Sequence, residues 1–399
     1  MGGGIKIIFL YAHGAFIGSE WVFCSDIIIG IEATPDGYQI RKIEEGANPS
    51  DADIQLKDHI LFPSFINSHI HIADTIGKDI CLNSSLEEAV GQNGIKFRLF
   101  EQNDANTIKT AILNSLLEIK EAGISAFADF REGGLFGIQI LRDALEMYGK
   151  KDLKGIIFGR PSKFGSEYKE IEIFHHEISK LLIEVDGLGL SSVADFTNEQ
   201  LKTMRTLADA NRKYISIHAL EGAISTQKGP NSRDKELERI LDILKADILI
   251  HLTKATREDL YSLNDTRSII FCPRANAYFG FGFPPLAIFL KADLAPLPAL
   301  GTDNIMCNAP NVLEEARYAA LSVRSEMKIN PTTFLKMISV NPAKIFNLKV
   351  GILELGTTNC LALNLNSPRI KFSKDLKSAL LFRSTISDYF SPFELLSKK

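Results

Sequence analysis

Long apolar runs are missing from this 399-residue chain: no stretch of 18 consecutive apolar residues occurs, so it lacks the usual signature of a membrane-spanning helix. The apolar stretch Ile5–Gly18 is interrupted by Tyr11 and His13, with no clear small-residue cleavage site after it. It reads as a buried strand pair, not as a signal peptide. Cysteine is scarce. Cys24, Cys81, Cys272, Cys307 and Cys360 are odd in number, scattered, and form no C-x-x-C pair. That argues against a disulfide framework and a thiolate zinc site, and fits a reducing cytoplasm. A basic excess is also absent. Lys plus Arg total 45 against 49 Asp plus Glu, a formal charge of -4 with no dense Lys/Arg run, so nucleic acid and anionic membranes are not expected partners. What remains, 45% apolar and 24% charged residues, is ordinary globular composition.

The pattern changes twice along the chain. Ile5–Ala12, Trp21–Ile29 and Tyr38–Ile43 are rich in β-branched and aromatic residues, separated by Gly18-Ser19 and Pro35-Asp36-Gly37, and read as short strands with turns. From about Leu61 to Phe346, short apolar runs alternate with helical patterns. The runs are Ser64–His71, Ile124–Phe130, Gly155–Gly159, Gly187–Ser192, Tyr214–His218, Asp247–His251, Ser268–Cys272 and Ala299–Asp303. Between most of them fall amphipathic segments such as Asn106–Ala122, Phe136–Tyr148, Asn198–Arg212, Ser232–Lys245 and Val312–Met327. Eight strand–helix units in series predict an α/β fold, a (β/α)8 barrel over residues 59–348, with its site at the C-terminal strand ends. Short strands return at Cys360–Leu365 and Ala379–Phe382. Residues 1–58 and 349–399 are thus expected to build one small flanking β-sandwich from both chain ends. The connection from His71 to Asn106 is long for a βα loop and predicts a lid, about Asp79–Asp104, over the barrel mouth.

Eight histidines are present, and their positions carry the chemistry. His69 and His71 end the first barrel strand; side chains two apart in a strand point the same way, so both imidazoles enter the mouth and suit Zn2+ or Fe2+. His218 closes the fifth strand, with Ser216 one layer below and Glu221 three residues on. A straight strand would aim Glu221 away from the lumen, so the chain must turn after His218 to bring both over one pocket. His251 ends strand six and Asp303 ends strand eight. Each alone is more often structural, but five such residues at the same end of one barrel make a joint signal.

These residues resemble the amidohydrolase superfamily: H-x-H on strand one, H-x-x-E on strand five, a histidine on strand six and Gly301-Thr-Asp303 on strand eight. The likeness extends to Leu61-Phe-Pro-Ser-Phe-Ile-Asn67 before the site, to Asn341-Pro-Ala-Lys-Ile-Phe346, and to the Gly351–Gly356 turn. H-x-x-E resembles aminohydrolases that deaminate cytosine, guanine or adenosine derivatives such as S-adenosylhomocysteine, and Phe271-Cys-Pro-Arg-Ala-Asn276 with Gly280 and Gly282 is similar to the loop after strand seven in the latter two groups. Two departures stand out. Binuclear relatives place a carboxylated lysine at the end of strand four, where this chain reads Leu188-Gly-Leu-Ser-Ser-Val-Ala-Asp195. One metal per chain is therefore expected, with Lys163 a fallback only if the strand count were off by one. Thr357-Thr-Asn-Cys360 also stands where relatives usually carry Ala-Asp.

The resemblance implies one divalent ion, Zn2+ before Fe2+, on His69, His71, His218 and Asp303. It further implies Asp303 and His251 beside the reacting water, and Glu221 as proton shuttle. A protonated carboxyl in that role needs a raised pKa, which a water-poor pocket supplies. The implied activity is hydrolytic deamination of an aminated heterocyclic base or nucleoside derivative. Hydrolysis of a cyclic amide or a chlorotriazine on the same site is the alternative, and a silent binding barrel a third reading. Candidate substrate contacts are Asp74, Lys96, Arg98, Asp129, Arg160, Arg274, Asn276 and Asn304, with Phe279, Phe281 and Phe283 as a wall for a planar ring. The expected partner is a small heterocyclic substrate. Whether the chain forms a homo-oligomer is not legible.

Overall fold

The structure, a computed structural model, describes residues 6–35, 37–222, 233–263, 268–292 and 297–398. Ile5, Asp36 and Ser232, which the sequence reading used as element ends or turn residues, lie outside this set.

Four strands open the chain: β1 (Ile7–Ile17), β2 (Val22–Thr34), β3 (Gly37–Glu44) and β4 (Ile54–Pro63). Near the other end run β14 (Cys360–Asn364) and β15 (Tyr389–Phe390). They hydrogen-bond as one continuous mixed sheet in the order β15-β14-β4-β1-β2-β3, so both chain ends do contribute to it. β4 was not anticipated. The run expected as a strand at Ala379–Phe382 is instead the end of a helix, Leu376–Phe382, whose first turn is capped by Asp375 accepting from the Lys377 amide (3.1 Å). One side of the sheet packs Leu10, Ala12, Ile29, Ile40 and Cys360 into a core of its own. Phe16, Trp21, Phe62 and Leu361 join the main barrel core.

Between these ends lie β5 (Phe65–His71), β6 (Ile124–Arg131), β7 (Lys154–Gly159), β8 (Gly187–Leu190), β9 (Tyr214–Ala219), β10 (Ile248–His251) and β11 (Ser268–Phe271). The eighth position is shared by β12 (Pro298–Leu300) and β13 (Asp303–Asn304). All pairings along β12-β11-β10-β9-β8-β7-β6-β5-β13 are parallel. β12 pairs with β11 while β13, two residues later, pairs with β5, which closes the ring. An Asn67–Thr302 clasp sews this seam: the Asn67 amide donates to Thr302 Oγ1 (2.7 Å) and accepts from the Thr302 N–H (3.1 Å).

Apolar faces of the surrounding helices, among them Ala105–Glu121, Gly134–Tyr148, Ile171–Glu184, Asn198–Asn211 and Val312–Ser322, pack on the outside. The lumen is filled from below by Ile156, Phe158, Ile250, Ile270 and Phe346, as expected of a packed barrel core. That filling leaves the C-terminal mouth as the place where polar side chains converge. Among the described residues no helix is long and apolar enough to cross a membrane.

Candidate metal centre and active site

The expected strand-end residues meet. One ligand atom each from His69, His218, His251 and Asp303 lies within 4.8 Å of every other. His69 Nε2 is 3.2 Å from Asp303 Oδ1, and His71 Nε2 reaches the same oxygen at 3.5 Å. The floor is aromatic: the Phe130 ring stacks on His218 (5.3 Å, 20°) and stands edge-on to His69 (4.5 Å, 89°). Phe130 was not singled out in the sequence, since an apolar residue in an apolar strand carries no signal of its own.

Local backbone strain marks the site. Leu220, His251, Leu252 and Asp303 all have positive φ (50°, 75°, 52° and 58°), conformations that non-glycine residues rarely hold unless their surroundings dictate it. The Leu220 turn, whose N–H donates to Glu236 (2.9 Å), swings the chain back after β9. Glu221 Oε2 consequently sits 3.7 Å from His218 Nδ1 and 3.6 Å from His251 Nε2, over the lumen as the H-x-x-E spacing requires.

Electrostatics suit a cation. Burial pushes the pKa of His218 well below its usual value and that of His251 down to about 3, so both rings are neutral, and a neutral imidazole is the form that binds metal. His218 Nε2 and His69 Nδ1 are buried without a hydrogen-bond partner, a costly condition that a bound ion would relieve. Burial also acts to raise Asp303, but the hydrogen bond from His69 and the electrostatic pull of the surrounding imidazoles outweigh it and keep the carboxylate ionised. Glu221 goes the other way. Desolvation, then the neighbouring Asp303 and Glu236, push its carboxyl well above the ordinary range.

A cavity of about 340 Å³ opens onto this cluster, lined by His71, His218, Glu221, Asp303, Asn304 and, from the lid, Lys96. The lid consists of helices Leu86–Val90 and Ile95–Gln102, and contributes Leu86, Glu87, Val90, Gly91 and Gln92 to the same wall. Arg160 and Phe279 also line it. Phe281 stacks at 6.3 Å on Phe279 behind the wall, and Phe283 packs on Tyr318 (5.5 Å) while half-exposed.

Other candidates are committed elsewhere. Arg274 binds buried Glu315 through Nε (2.6 Å) and the carbonyl of Ala309 through Nη2 (2.9 Å); it does not line the cavity. Arg98 donates to the Asn93 carbonyl (2.6 Å) in an exposed setting. Asn276 lies behind His251, its Nδ2 donating to His251 Nδ1 (3.1 Å). Asp129 is buried, accepting from the Ile72 amide (2.7 Å), and Asp74 is buried in an ion pair with Lys96 (2.9 Å). Lys163 is exposed in the loop after β7. The strand count holds, and no lysine ends β8. Arg131 at the end of β6 and Glu132 just beyond it were missed: Glu132 accepts from His71 Nδ1 (3.0 Å) and pairs with Arg131 Nη2 (3.3 Å). The only hint in the sequence was a charged Arg131-Glu132 pair at a C-terminal strand end.

With this geometry in place, comparison with known proteins decides the family. The model of the Amidohydrolase family matches residues 60–376. The chain belongs to that family. It is similar to a putative aminohydrolase of Methanothermobacter thermautotrophicus, 31% identical over 83% of this chain and 87% of the relative. It is also similar to a 5-methylthioadenosine/S-adenosylhomocysteine deaminase of Pyrococcus furiosus, 27% identical over 85% of this chain and 83% of that one. Among solved structures, an adenosine deaminase from Xanthomonas campestris with bound zinc superposes with a TM-score of 0.77 at 14% identity, covering 96% of this chain and 90% of the other. This amidohydrolase is thus an aminohydrolase with a His/His/His/Asp cluster suited to a metal ion.

Proposed function

We propose that this amidohydrolase deaminates an amine-bearing heterocyclic base or nucleoside derivative, using one divalent ion, Zn2+ before Fe2+. Hydrogen bonding separates two roles within the cluster. Asn276 Nδ2 donates to His251 Nδ1, which leaves the proton of neutral His251 on Nε2, facing Glu221. His71 donates from Nδ1 to the Glu132 carboxylate, which frees its Nε2 lone pair towards Asp303. His69, His71, His218 and Asp303 then serve as ligands, and His251 as a hydrogen-bond donor beside them. A divalent ion held there supplies water acidic enough to act as a nucleophile near neutral pH.

The protein's own groups move the protons. Glu221, protonated because it is buried and close to Asp303, donates to a ring nitrogen as water adds to the amine-bearing carbon. His251 orients that water and Asp303 accepts its proton, then passes it to the amine, which leaves as ammonia while Glu221 regains a proton from the new hydroxyl. Arg160, Asn304 and the lid's Gln92 face the cavity as polar contacts, and Phe279 offers a face to a planar ring. The observation that carries this reading is the raised, inward-turned carboxyl of Glu221, 3.6 Å from His251. The substrates named for the Pyrococcus furiosus relative are the first to try.

The test is to load the protein with zinc and offer 5′-methylthioadenosine, adenosine, guanine and cytosine, following ammonia and ultraviolet absorbance. A chlorotriazine, followed by chloride release, forms a separate arm. Ammonia from at least one aminated ring, lost in Glu221→Gln, is expected. Chloride without ammonia would favour the chlorohydrolase reading. No turnover in either arm, with zinc bound, would defeat the deaminase assignment.

A further inference from the structure

The lid helix Ile95–Gln102 buries one residue fully, and that residue is a lysine. Lys96 is 3% exposed, and sinking an ammonium in place of an apolar side chain is costly unless its charge is matched. It is matched twice. Lys96 Nζ pairs with Asp74 Oδ2 (2.9 Å) in the turn after β5 and bonds to Glu132 Oε1 just after β6. The same Glu132 oxygen takes the hydrogen bond from His71 Nδ1 (3.0 Å), and Arg160 Nη1 approaches it at 3.4 Å. Three positively polarised groups from three parts of the chain thus converge on one carboxylate oxygen, and only Lys96 comes from the lid.

Resting on the metal-centre reading above, we infer that Lys96 is a positioning residue: through Glu132 it holds His71 with its Nε2 facing Asp303, so that seating the lid and setting the metal-binding geometry are one event. The two contacts of His71 Nδ1 show why the position of Glu132 matters. Nδ1 lies 3.0 Å from Glu132 and 3.3 Å from Lys96 Nζ. When Nδ1–H donates to Glu132, the Nε2 lone pair is free for an ion. Were Nδ1 instead to accept from Lys96, the ring proton would sit on Nε2 and point at Asp303. The Lys96–Glu132 ion pair selects the first arrangement, because it fixes the carboxylate that receives the His71 proton. Carboxylate partners of ligating histidines act in this way; here the partner is itself pinned by a lid residue 36 positions away in sequence. Lys96 also lines the cavity, but its commitment to two buried carboxylates makes it a poor anchor for a substrate group.

The test uses zinc itself as probe. Zinc affinity is measured by competition with a chromophoric chelator on the full chain, and hydrogen exchange over 86–102 is followed with and without zinc. Wild type is expected to bind zinc and to slow exchange across the lid when it does. Lys96→Met should bind zinc more weakly by roughly 10–100-fold, the usual cost of removing an outer partner of a ligand, and should lose the zinc-dependent lid protection. Lys96→Arg restores the cation and should recover part of both. Glu132→Gln should weaken zinc with the lysine still present. Lys96→Met that binds zinc as tightly as wild type would overturn the relay; if lid protection alone were lost, Lys96 would be a fastener of the lid and nothing more. If Lys96→Met does not fold, unchanged zinc affinity in Glu132→Gln overturns it equally. A wild-type chain that takes up no zinc sinks the metal-centre reading first and the relay with it, so the two failures are distinguishable.

Discussion

Gly301 lies directly against His69: a β-carbon on Gly301 would fall 2.6 Å from His69 Cβ and 2.7 Å from its backbone N and O. Three heavy atoms of strand one, two of them backbone, cannot yield without moving the histidine. Gly301→Ala is therefore expected to cost about 1–3 kcal/mol of stability, the usual penalty of overpacking a filled site, and to lower zinc occupancy as well. Thermal melting and metal analysis of the same preparation check both. A variant with wild-type melting and metal content would show that the seam can flex.

Replacing Glu221 by Gln separates chemistry from binding. The amide keeps the size of the side chain but cannot carry a proton. Zinc content is expected to stay at the wild-type level, while turnover on an aminated substrate falls by on the order of 10²–10⁴, or about 3–5 kcal/mol of transition-state stabilisation. Near-normal turnover would reduce Glu221 to a buried loop carboxyl.

Stoichiometry follows from β8. No lysine ends that strand to supply the bridge that binuclear relatives use, and one ion per chain is expected by metal analysis. His218→Ala should lower that content and activity together. A second ion about 3.5–4 Å from the first, as in bimetallic centres, would contradict this.

Asp129 gives a pH signature of folding. Burial raises its pKa from 3.8 to about 6, against the opposing pull of Arg131 and the Ile72 amide. Between those values the folded chain holds a proton that the unfolded chain has released, so stability falls as pH rises through the window. The stability gained from this group is complete below about pH 4 and is lost once pH passes about 6. Asp129→Asn keeps the acceptor for the Ile72 amide and removes the titration. Its unfolding free energy should decline less between pH 4 and 6.5, by up to ~3 kcal/mol. Parallel pH profiles for variant and wild type would show that Asp129 ionises in the fold as it does in water.

The lid should respond to ligand as well as to metal. Purine riboside lacks the amine to be displaced, so it can occupy the cavity without turnover. Hydrogen exchange over residues 79–104 is expected to slow when it binds to the zinc-loaded protein, as closure excludes water. Equal exchange with and without it would remove the closing role.

The strand-end residues were readable because the barrel imposes a rule on them: a polar side chain ending an apolar run points into the mouth. His69, His218, His251 and Asp303 obey it, and the turn needed to retrieve Glu221 exists at Leu220. Glu132 and Lys96 obey no local rule. Their pairing joins residues 36 apart, and nothing around Lys96 distinguishes it from the exposed charges beside it. Arg274 fails for the converse reason. Its position in the Phe271–Asn276 loop suggested the cavity, but Glu315 on the helix Val312–Ser322 claims its side chain. Ala379–Phe382 is too short an apolar run for its period to be told, and the Asp375 cap upstream was the better guide. β4 carries the alternation Ile54-Gln-Leu-Lys57, but the charged residues Lys57 and Asp58 hide it until β1 and β14 stand on either side.

The interruption between β12 and β13 places the last joint of the barrel at Asp303, which pairs with Ile70, between the two histidines of strand one. The residue proposed to grip the ion is therefore also the one that joins the last strand to the first. A chain caught with its barrel still open holds His69 and His71 on one lip and Asp303 on the other, and has no reactive centre. The joint that closes the cylinder and the joint that completes the catalyst are the same, so an open barrel is an inert one.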